Sequence, residues 1–496
     1  MNPKPQSPNS PDSVATLPHA GRNGGESSAY EQTLLGQIDR RWLARIPAWL
    51  VIVAFAGILV IPAAQSVRSI GKTDKSAHRA AGERRRTALG RWLPDAEALR
   101  KVAAAPSVAA AGPGNNPYGD GHWFPTPPLV LMALVPLSML GFAPAAVVWS
   151  GLKIVGVAVA LGLLVRSHGP RGAPIGVLLM ALAFGARALV SDLQHANVNI
   201  FMFVWIALCW ACFTRGRDGW AGFFLALAIV TKVTPALAGV YFAYKRQWRL
   251  CIVAGLCLVL FVAVIPGVYV GFDKNVTLLA DWFDMLVKPF AVQGWAELDT
   301  PNQSLYGTLL RVLSNYDALK IEEMPIAAAL DSGQENMARP MTTAGRLIRP
   351  AVSLSVLALL AWVCRGRLSD RRGLRAALEF AMVLLAMLLL SERTWKHHAT
   401  TLVMIYLAIW LGMTHLYWSR RARGAWVAAL VAQWVMLVAS GEGLLGDALA
   451  DHLLDWGIFC WGLVLAFGQI GLMLLWMPRD PVGGRAETAR GTAVAT

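Results

Sequence analysis

The 496-residue chain has little charge for its length. Only 15% of its residues are charged, against about 25% in average soluble domains, whereas 56% are hydrophobic and 20 are Trp. This composition excludes a disordered chain, a collagen-like chain and a nucleic-acid-binding domain. It favours one membrane protein that crosses the bilayer many times.

Cysteines are also few, and the six that occur lie in apolar segments or at the end of one. Cys209 and Cys212 have the spacing of a metal-binding knuckle, but no second Cys pair or His partner accompanies them. No disulfide framework is visible. We therefore interpret all six as small residues of buried helices.

Acidic residues are outnumbered by basic ones, 30 against 45, and the basic residues cluster between apolar segments. Residues 1–46 are rich in Ser, Pro, Gly and Asn and predict a disordered tail. Basic residues before the first apolar segment, Ala48–Ala64, place this tail in the cytoplasm, and no cleavable signal peptide precedes the segment. When the apolar segments cross the membrane in alternating directions, the short basic loops between them fall on the cytoplasmic side. This pattern predicts about twelve crossings within residues 47–478. Residues 479–496 form a second predicted cytoplasmic tail.

Two long polar stretches, 67–125 and 272–347, fall on the outer side of this topology. The segment Pro127–Leu140 is shorter than the ~20 residues that a span needs and is bounded by prolines, which predicts a re-entrant or interfacial element. The shorter polar interruptions also collect at the outer ends of the apolar segments. A functional site at the outer membrane interface is the expected consequence.

The first interruption holds five polar residues within eight positions. Unpaired polar groups at membrane depth cost several kcal/mol, so a dense cluster implies protein partners or a ligand. The alternative is a solvated hairpin turn with helix caps. The five residues are Asp192, Gln194, His195, Asn197 and Asn199.

A second interruption is Lys232-Val-Thr-Pro235. Pro235 ends or kinks a helix and frees backbone groups, and the ammonium of Lys232 suits a phosphate. The alternative is a lysine that extends its charge to the membrane surface.

A third interruption, Ser391–His398, places cations beside Trp395 at a helix end. Such a group suits a phosphate or pyrophosphate, and the alternative is an ordinary loop of the aromatic belt. A zinc pair is less favoured because adjacent His side chains point apart and no acidic third ligand is evident. The basic residues are Arg393, Lys396, His397 and His398.

The first outer loop offers two candidate carboxylates. Asp74 lies soon after the first apolar segment, and Asp95 stands near the amino terminus of a helix-like stretch. Either one is otherwise a solvated surface residue. In the second outer loop, Asn302-Gln-Ser-Leu-Tyr306 predicts a lid, a substrate contact or simply the start of a helix.

These pieces together resemble glycosyltransferase family 87, over about residues 48–420. The resemblance implies an all-α, polytopic membrane helix bundle of GT-C type, with short interfacial helices in the first outer loop. Four motifs carry it: Asn116-Pro-Tyr118 with Phe124-Pro-Thr-Pro-Pro128, Gln194-x-x-Asn197-x-Asn199, Lys232-x-Thr-Pro235, and Ser391-x-x-x-Trp395-x-His397-His398.

The resemblance implies a hexosyltransferase that takes mannose from a polyprenyl-phosphate donor and transfers it with inversion to a hydroxyl of a glycan or glycolipid. Asp95 or Asp74 would be the general base. Asp74 has the family's position after the first helix but lacks the aromatic residue that follows there. The phosphate ligands would be Lys232, Lys396, His397, His398 and Arg393, and the substrate contacts Gln194, His195, Asn197, Asn199, Tyr118, Asn302 and Gln303.

No cofactor is implied, since a lipid phosphate leaves already charged, and a divalent metal is left open. The partners are membrane lipids, the lipid-linked sugar and the acceptor, with no nucleic acid, and the expected location is a plasma (inner) membrane. A secondary transporter or lipid flippase is the alternative, with a non-catalytic scaffold third. Three charged residues lie inside apolar segments: Lys153, Arg187 and Glu379. Each is expected either to line a transport path, as a transporter requires, or to pair with another polar group of the bundle.

Overall fold

The computed structural model describes most of the chain between residues 87 and 477. Both predicted tails, the apolar segment Ala48–Ala64 and Asp74 lie outside the described residues. The described residues are 87–112, 114–119, 124–168, 173–314, 338–340, 343–416, 418–441 and 445–477.

The described part is mainly helical, with one antiparallel pair of three-residue strands, β1 (Trp295–Glu297) and β2 (Ala338–Pro340). Single π or 3-10 turns at Leu260–Val264, Phe283–Val287, Lys396–Thr401 and Val435–Ala439 join or interrupt helices. The helices are α1 (Ala88–Ala104), α2 (Pro128–Ser138), α3 (Phe142–Val165), α4 (Ile175–His195), α5 (Asn199–Thr214), α6 (Asp218–Thr231), α7 (Ala236–Tyr244), α8 (Trp248–Val270), α9 (Phe272–Trp282), α10 (Lys288–Ala291), α11 (Leu305–Ser314), α12 (Thr343–Val363), α13 (Leu374–Leu389), α14 (Leu402–His415), α15 (Arg420–Trp434), α16 (Asp447–Asp455) and α17 (Ile458–Trp476).

Five helices of the described part are long and apolar enough to cross a membrane: α3, α4, α8, the stretch Gly345–Val363 of α12, and α17. α2, α5 and α6 are apolar but shorter. The helical class is confirmed, and the count of about twelve crossings stays a prediction.

α13 and α14 form the centre of the bundle. Every residue of α13 from Ala376 to Leu389 is buried, which requires a helix that is apolar on all sides. α4 packs closely on α14 at Gly185, where an added Cβ would lie 2.4 Å from a methyl carbon of Val403. Phe184 stacks on Tyr406 beside this contact, with 3.9 Å between ring centroids.

The charged residues inside the apolar helices all have structural partners. Lys153 forms an ion pair with Asp192 at 2.7 Å, and Lys245 forms one with Glu379 at the same distance. Arg187 donates to the carbonyl of Leu437 and to the hydroxyl of Ser440, both at 3.0 Å. The interpretation of Lys153, Arg187 and Glu379 as structurally paired is confirmed.

The stretch 67–125 contains a helix, as the sequence predicts, but this helix begins earlier than expected, and its interfacial position stays a prediction. The hydroxyl of Thr87 accepts a hydrogen bond from the Gly90 N–H at 3.2 Å and caps α1 at Ala88. Asp95 therefore lies in the middle of the helix and is only 4% exposed. Its expected place near the helix amino terminus, and its alternative interpretation as a solvated residue, are both wrong.

Candidate active site

The first polar interruption is a tight turn between α4 and α5. α4 extends to His195, beyond the end of its apolar segment, and stops where Ala196 adopts a left-handed conformation with φ 50°. That conformation is uncommon for a residue other than glycine. The Asn197 N–H bonds to the Asp192 carbonyl at 3.2 Å, and α5 starts two residues later. The polar side chains are thereby gathered in one turn.

A buried chain of polar contacts runs from α3 through this turn to the end of α6. Lys153 Nζ contacts Asp192 Oδ1 at 2.7 Å, and both side chains are 0% exposed. Asp192 Oδ2 accepts hydrogen bonds from the backbone N–H and the side-chain amide of Asn199, each at 3.1 Å. Asn199 Oδ1 in turn accepts from Lys232 Nζ at 2.9 Å.

Lys232 occupies the break predicted from Pro235. α6 ends at Thr231, Lys232 has extended backbone angles (φ −158°, ψ 132°), and α7 follows Pro235. The ammonium carries three donors, and it forms no ion pair with a carboxylate of the described residues. Its contact with Asn199 is with a neutral amide. The ammonium therefore has no direct anionic partner within the described structure, and burial lowers its pKa to about 7, while the charge of Asp192 acts in the opposite direction.

The histidines of the third interruption face this turn. The rings of His195 and His397 stack with centroids 4.8 Å apart, and Asn197 Nδ2 lies 3.3 Å from His397 Nε2. The Thr400 hydroxyl donates to the carbonyl of Asn199 at 2.9 Å. The structure thus brings together predicted site residues that are about 200 positions apart in the chain.

The two adjacent histidines are neutral at ordinary pH. Burial, followed by the neighbouring His398, His195 and Lys232, holds the pKa of His397 well below its usual value. Burial and the charge of Lys232 likewise lower the pKa of His398. Their rings offer polar nitrogen atoms to a ligand without adding charge.

Arg393, a predicted phosphate ligand, is already paired. Its guanidinium forms an ion pair with the buried carboxylate of Glu297 and lies 5.1 Å from the ring centroid of Phe290. Beside it, Arg349 forms an ion pair with Glu392 at 2.7 Å. The first pair connects the 391–398 loop to the stretch 272–347 and the second connects it to α12, so the charge of Arg393 is engaged in structure.

Asn302 and Gln303, predicted substrate contacts, are 0% exposed. Asn302 Nδ2 donates to the Glu297 carbonyl (2.8 Å) and the Glu392 carbonyl (2.9 Å), and its Oδ1 accepts from the backbone N–H groups of Ser304 (3.1 Å) and Thr394 (3.0 Å). These four bonds use the full capacity of an amide. Asn302 holds the loop that carries His397 and His398 rather than contacting a substrate.

Gln303 joins the same loop to the last helices. Its backbone N–H donates to the Thr394 carbonyl at 2.7 Å, and its side-chain amide donates to the carbonyls of Thr300 and Leu454, both at 2.8 Å. Its Oε1 accepts from the Cys460 N–H at 3.3 Å. Gln303 therefore has the same structural role as Asn302: it holds the 391–398 loop in place.

We expect Asn302→Ala to destabilise the protein by at least about 3 kcal/mol, because it leaves two buried N–H groups and two buried carbonyls without partners. Thermal unfolding of the purified protein, followed by intrinsic fluorescence, measures this loss. Asn115→Ala is the control, since Asn115 lies in an exposed turn and contacts Lys101 and the Ala111 carbonyl. Equal stability of the two variants would contradict the assigned part of Asn302.

The remaining predicted residues differ in their exposure. Gln194 and His195 are exposed on the turn, and Lys396 is half-buried at the start of the 3-10 turn. Tyr118 is buried, and its hydroxyl donates to the Thr126 carbonyl at 2.9 Å, which fixes the first outer loop. The exposed residues are therefore available to a ligand, whereas Tyr118 is engaged within the loop.

Asp95 belongs to the same region as the polar turn. Burial and the negative charge of Asp95 raise the pKa of Tyr118, so the two side chains are close. The apolar face of α1 shares one hydrophobic cluster with Ala196 and Val198 of the turn. Asp74 lies outside the described residues, so its proposed role stays a prediction.

The sequence alone does not show which residue pairs with Asp192 of the turn. The partner is Lys153 of α3. A lysine within an apolar helix was the available signal. Among the described residues, no three His, Cys, Asp or Glu side chains come together in a way that could hold a metal ion.

Two known proteins are similar to this chain. The polyprenol-phosphate-mannose-dependent alpha-(1-2)-phosphatidylinositol pentamannoside mannosyltransferase of Mycolicibacterium smegmatis is 29% identical over 301 residues, which are 58% of this chain and 60% of that relative. The chain thus matches less than two thirds of the relative's length. The crystal structure of ArnT from Cupriavidus metallidurans in the apo state gives a TM-score of 0.35 and 15% identity, covering 86% of this chain and 77% of that one.

A family model matches residues 124–392, which is more than half of the chain. This matched region is shorter than residues 48–420, the range over which the sequence motifs predict the resemblance. It includes the polar turn and Lys232, begins after Asn116-Pro-Tyr118, and ends before Trp395. By this match, the chain belongs to glycosyltransferase family 87.

Proposed function

We propose that this protein is an integral-membrane glycosyltransferase that moves mannose from a polyprenyl phosphate to a hydroxyl of a glycan or glycolipid, with inversion, at the outer face of the plasma membrane. Its family membership and its membrane-spanning helices support a membrane glycosyltransferase. The name of the mycobacterial relative supports the lipid-linked mannose donor and a glycolipid as the kind of acceptor.

Lys232 is the observation that carries this proposal. Its ammonium is held in a buried turn by a neutral amide, beside two neutral histidines, without a carboxylate partner among the described residues. Burial lowers the pKa of this ammonium to about 7, so an anion bound beside it would favour the charged form, and their attraction is strong where the local dielectric constant is low. The phosphodiester of a polyprenyl-phosphate sugar supplies that anion, and cleavage of its bond to the sugar leaves a polyprenyl phosphate with a second negative charge.

In the proposed reaction, the negative charge that develops on the leaving phosphate is stabilised by Lys232. His397 and His398 donate a ring N–H to the phosphate oxygens, and Lys396 adds a second cation at the edge of the site. The acceptor hydroxyl attacks the anomeric carbon from the opposite side, so the configuration inverts. The leaving phosphate departs as an anion and requires no protonation.

Asp95 is the proposed general base for the acceptor hydroxyl, and Asp74 is the alternative. Asp95 is buried on α1, and the apolar residues of that helix share a hydrophobic cluster with Ala196 and Val198 of the polar turn. The base removes the hydroxyl proton as the new glycosidic bond forms.

A transfer assay with the purified full-length protein in proteoliposomes tests this function. Polyprenyl-phosphate mannose, glucose and arabinose, each radiolabelled on the sugar, are offered with a panel of glycolipid acceptors. We expect the mannose label to move from the donor to an acceptor. Movement of labelled donor across the bilayer without transfer would overturn the proposal in favour of a flippase.

A further inference from the structure

The buried pair of Lys153 and Asp192 has no part in the reaction proposed above. Both side chains are 0% exposed, so both charges have lost their hydration. A buried ion pair is often no more stabilising than well-packed apolar residues of the same size. Stability alone therefore does not explain this pair. Its contacts with Asn199 point to a second role.

The Asp192 carboxylate fixes the orientation of the Asn199 amide. Its Oδ1 is engaged by Lys153, and its Oδ2 accepts from both the backbone and the side-chain N–H groups of Asn199. A carboxylate is only an acceptor when ionised, so it draws the NH₂ end of the amide toward itself. The oxygen end of Asn199 must then face the other way, toward Lys232.

Asn199 also connects this pair to the histidine segment. Its carbonyl accepts from the Thr400 hydroxyl at 2.9 Å, and Thr400 follows His397 and His398 in the same 3-10 turn. The side chain of Asn199 holds Lys232, while its backbone holds the segment that carries the histidines. Both sides of the candidate phosphate site therefore depend on the placement of one buried asparagine.

We infer that Lys153 and Asp192 are positioning residues that orient Asn199 and thereby place the Lys232 ammonium for the donor phosphate. The inference rests on the proposed function. An ion pair suits this purpose because the contact with Lys153 holds the Asp192 side chain in one rotamer. An Asn at position 192 would instead permit the amide of Asn199 to turn its NH₂ group toward Lys232.

The test is the double variant K153M/D192L in the full-length protein. It removes both buried charges at once, so neither is left unpaired, and it removes the acceptor that orients Asn199. We expect the KM for polyprenyl-phosphate mannose to rise about tenfold or more and kcat to fall by a similar factor. Monodispersity and thermal unfolding establish that the variant is folded.

The chain offers a matched control in its other buried pair, Lys245 and Glu379. Their ion pair is equally short at 2.7 Å, and both side chains are 1% exposed. Lys245 lies at the end of α7 and Glu379 lies on α13, and neither bonds to Asn199. K245M/E379L should keep kcat per folded protein and the donor KM within about twofold of wild type. A loss of folded protein lowers the yield of active enzyme but does not raise KM.

If K153M/D192L does not fold, the variant D192N/N199D tests the inference in its place. It exchanges the amide and the carboxylate between positions 192 and 199 and keeps the size of both side chains and the net charge. The carboxylate then stands beside Lys232 and compensates it, so the donor KM should rise about tenfold or more. Wild-type donor KM and kcat in the folded variant would overturn the inference alone. Absence of transfer by the wild-type protein would overturn the proposed function and this inference with it.

Discussion

Replacing Lys232 with Met is expected to slow sugar transfer about 100- to 1,000-fold, which corresponds to about 2.7–4 kcal/mol of lost transition-state stabilisation. The methionine side chain fills a similar volume, but it carries no positive charge and cannot stabilise the negative charge that develops on the leaving phosphate. The nearby histidines do not replace the ammonium, because burial keeps them neutral. Initial rates over a range of donor concentrations separate the effect on kcat from that on KM.

Lys288→Met is the control for this variant. Lys288 forms an exposed ion pair with Asp284 at 2.9 Å in the second outer loop, and exposed pairs contribute little. Its removal should leave the transfer rate within about twofold of wild type. If Lys232→Met folds and keeps the wild-type kcat and donor KM, Lys232 does not contact the leaving phosphate.

The apolar pattern of the sequence predicted the helices well wherever their ends are marked by strong local signals. The apolar segment Ala236–Tyr244 coincides with α7, because Pro235 precedes it and basic residues follow it. The apolar segment Leu453–Trp476 is instead divided between α16 and α17 at Gly457, which has φ 74°. An isolated glycine inside an apolar segment does not reveal by itself which conformation it adopts.

α4 extends beyond the apolar segment that contains most of it. That segment ends at Val190, but the helix continues to His195, and Asp192 within this extension has a partner in Lys153, 39 residues earlier. Hydropathy treats a buried aspartate as a polar residue and ends the helix there. A partner from another helix makes its burial possible, and no local pattern contains that information.

The candidate site was predicted as a set of interruptions, and the structure distinguishes their roles. Lys232 and His397 converge on one turn, whereas Asn302 and Arg393 are engaged in bonds that hold the surrounding loops. Both kinds of residue are polar and lie at helix ends, so their sequence signals are alike. Only the long-range contacts reveal which polar atoms are already engaged and which are available to a ligand.

The separation of charges in this site suggests how base and leaving group are kept apart. Lys232 lies between α6 and α7, whereas Asp95 lies on the interfacial helix α1 and approaches Tyr118. An inverting transfer needs the acceptor and the leaving phosphate on opposite faces of the sugar. A base and a cation on different elements of the fold meet that requirement, because a direct ion pair would deactivate both.

Asp95→Asn is accordingly expected to lower kcat about 100- to 10,000-fold, since the amide keeps the shape of the carboxylate but cannot accept the hydroxyl proton. The donor KM should stay within about twofold of wild type, because the phosphate ligands are unchanged. Glu97→Gln on the same helix is the matched control. Glu97 faces outward and pairs with Arg100 at 2.6 Å, so its loss should leave kcat unaltered.

Asp74→Asn, measured in parallel, distinguishes the two candidate bases. A loss in Asp95→Asn with full activity in Asp74→Asn assigns the proton transfer to Asp95, and the reverse result assigns it to Asp74. Full activity in both would exclude either carboxylate as the base. Because Asp95 is buried, thermal unfolding must accompany the rates: a folded variant that binds donor normally but does not transfer sugar has lost its base and not its structure.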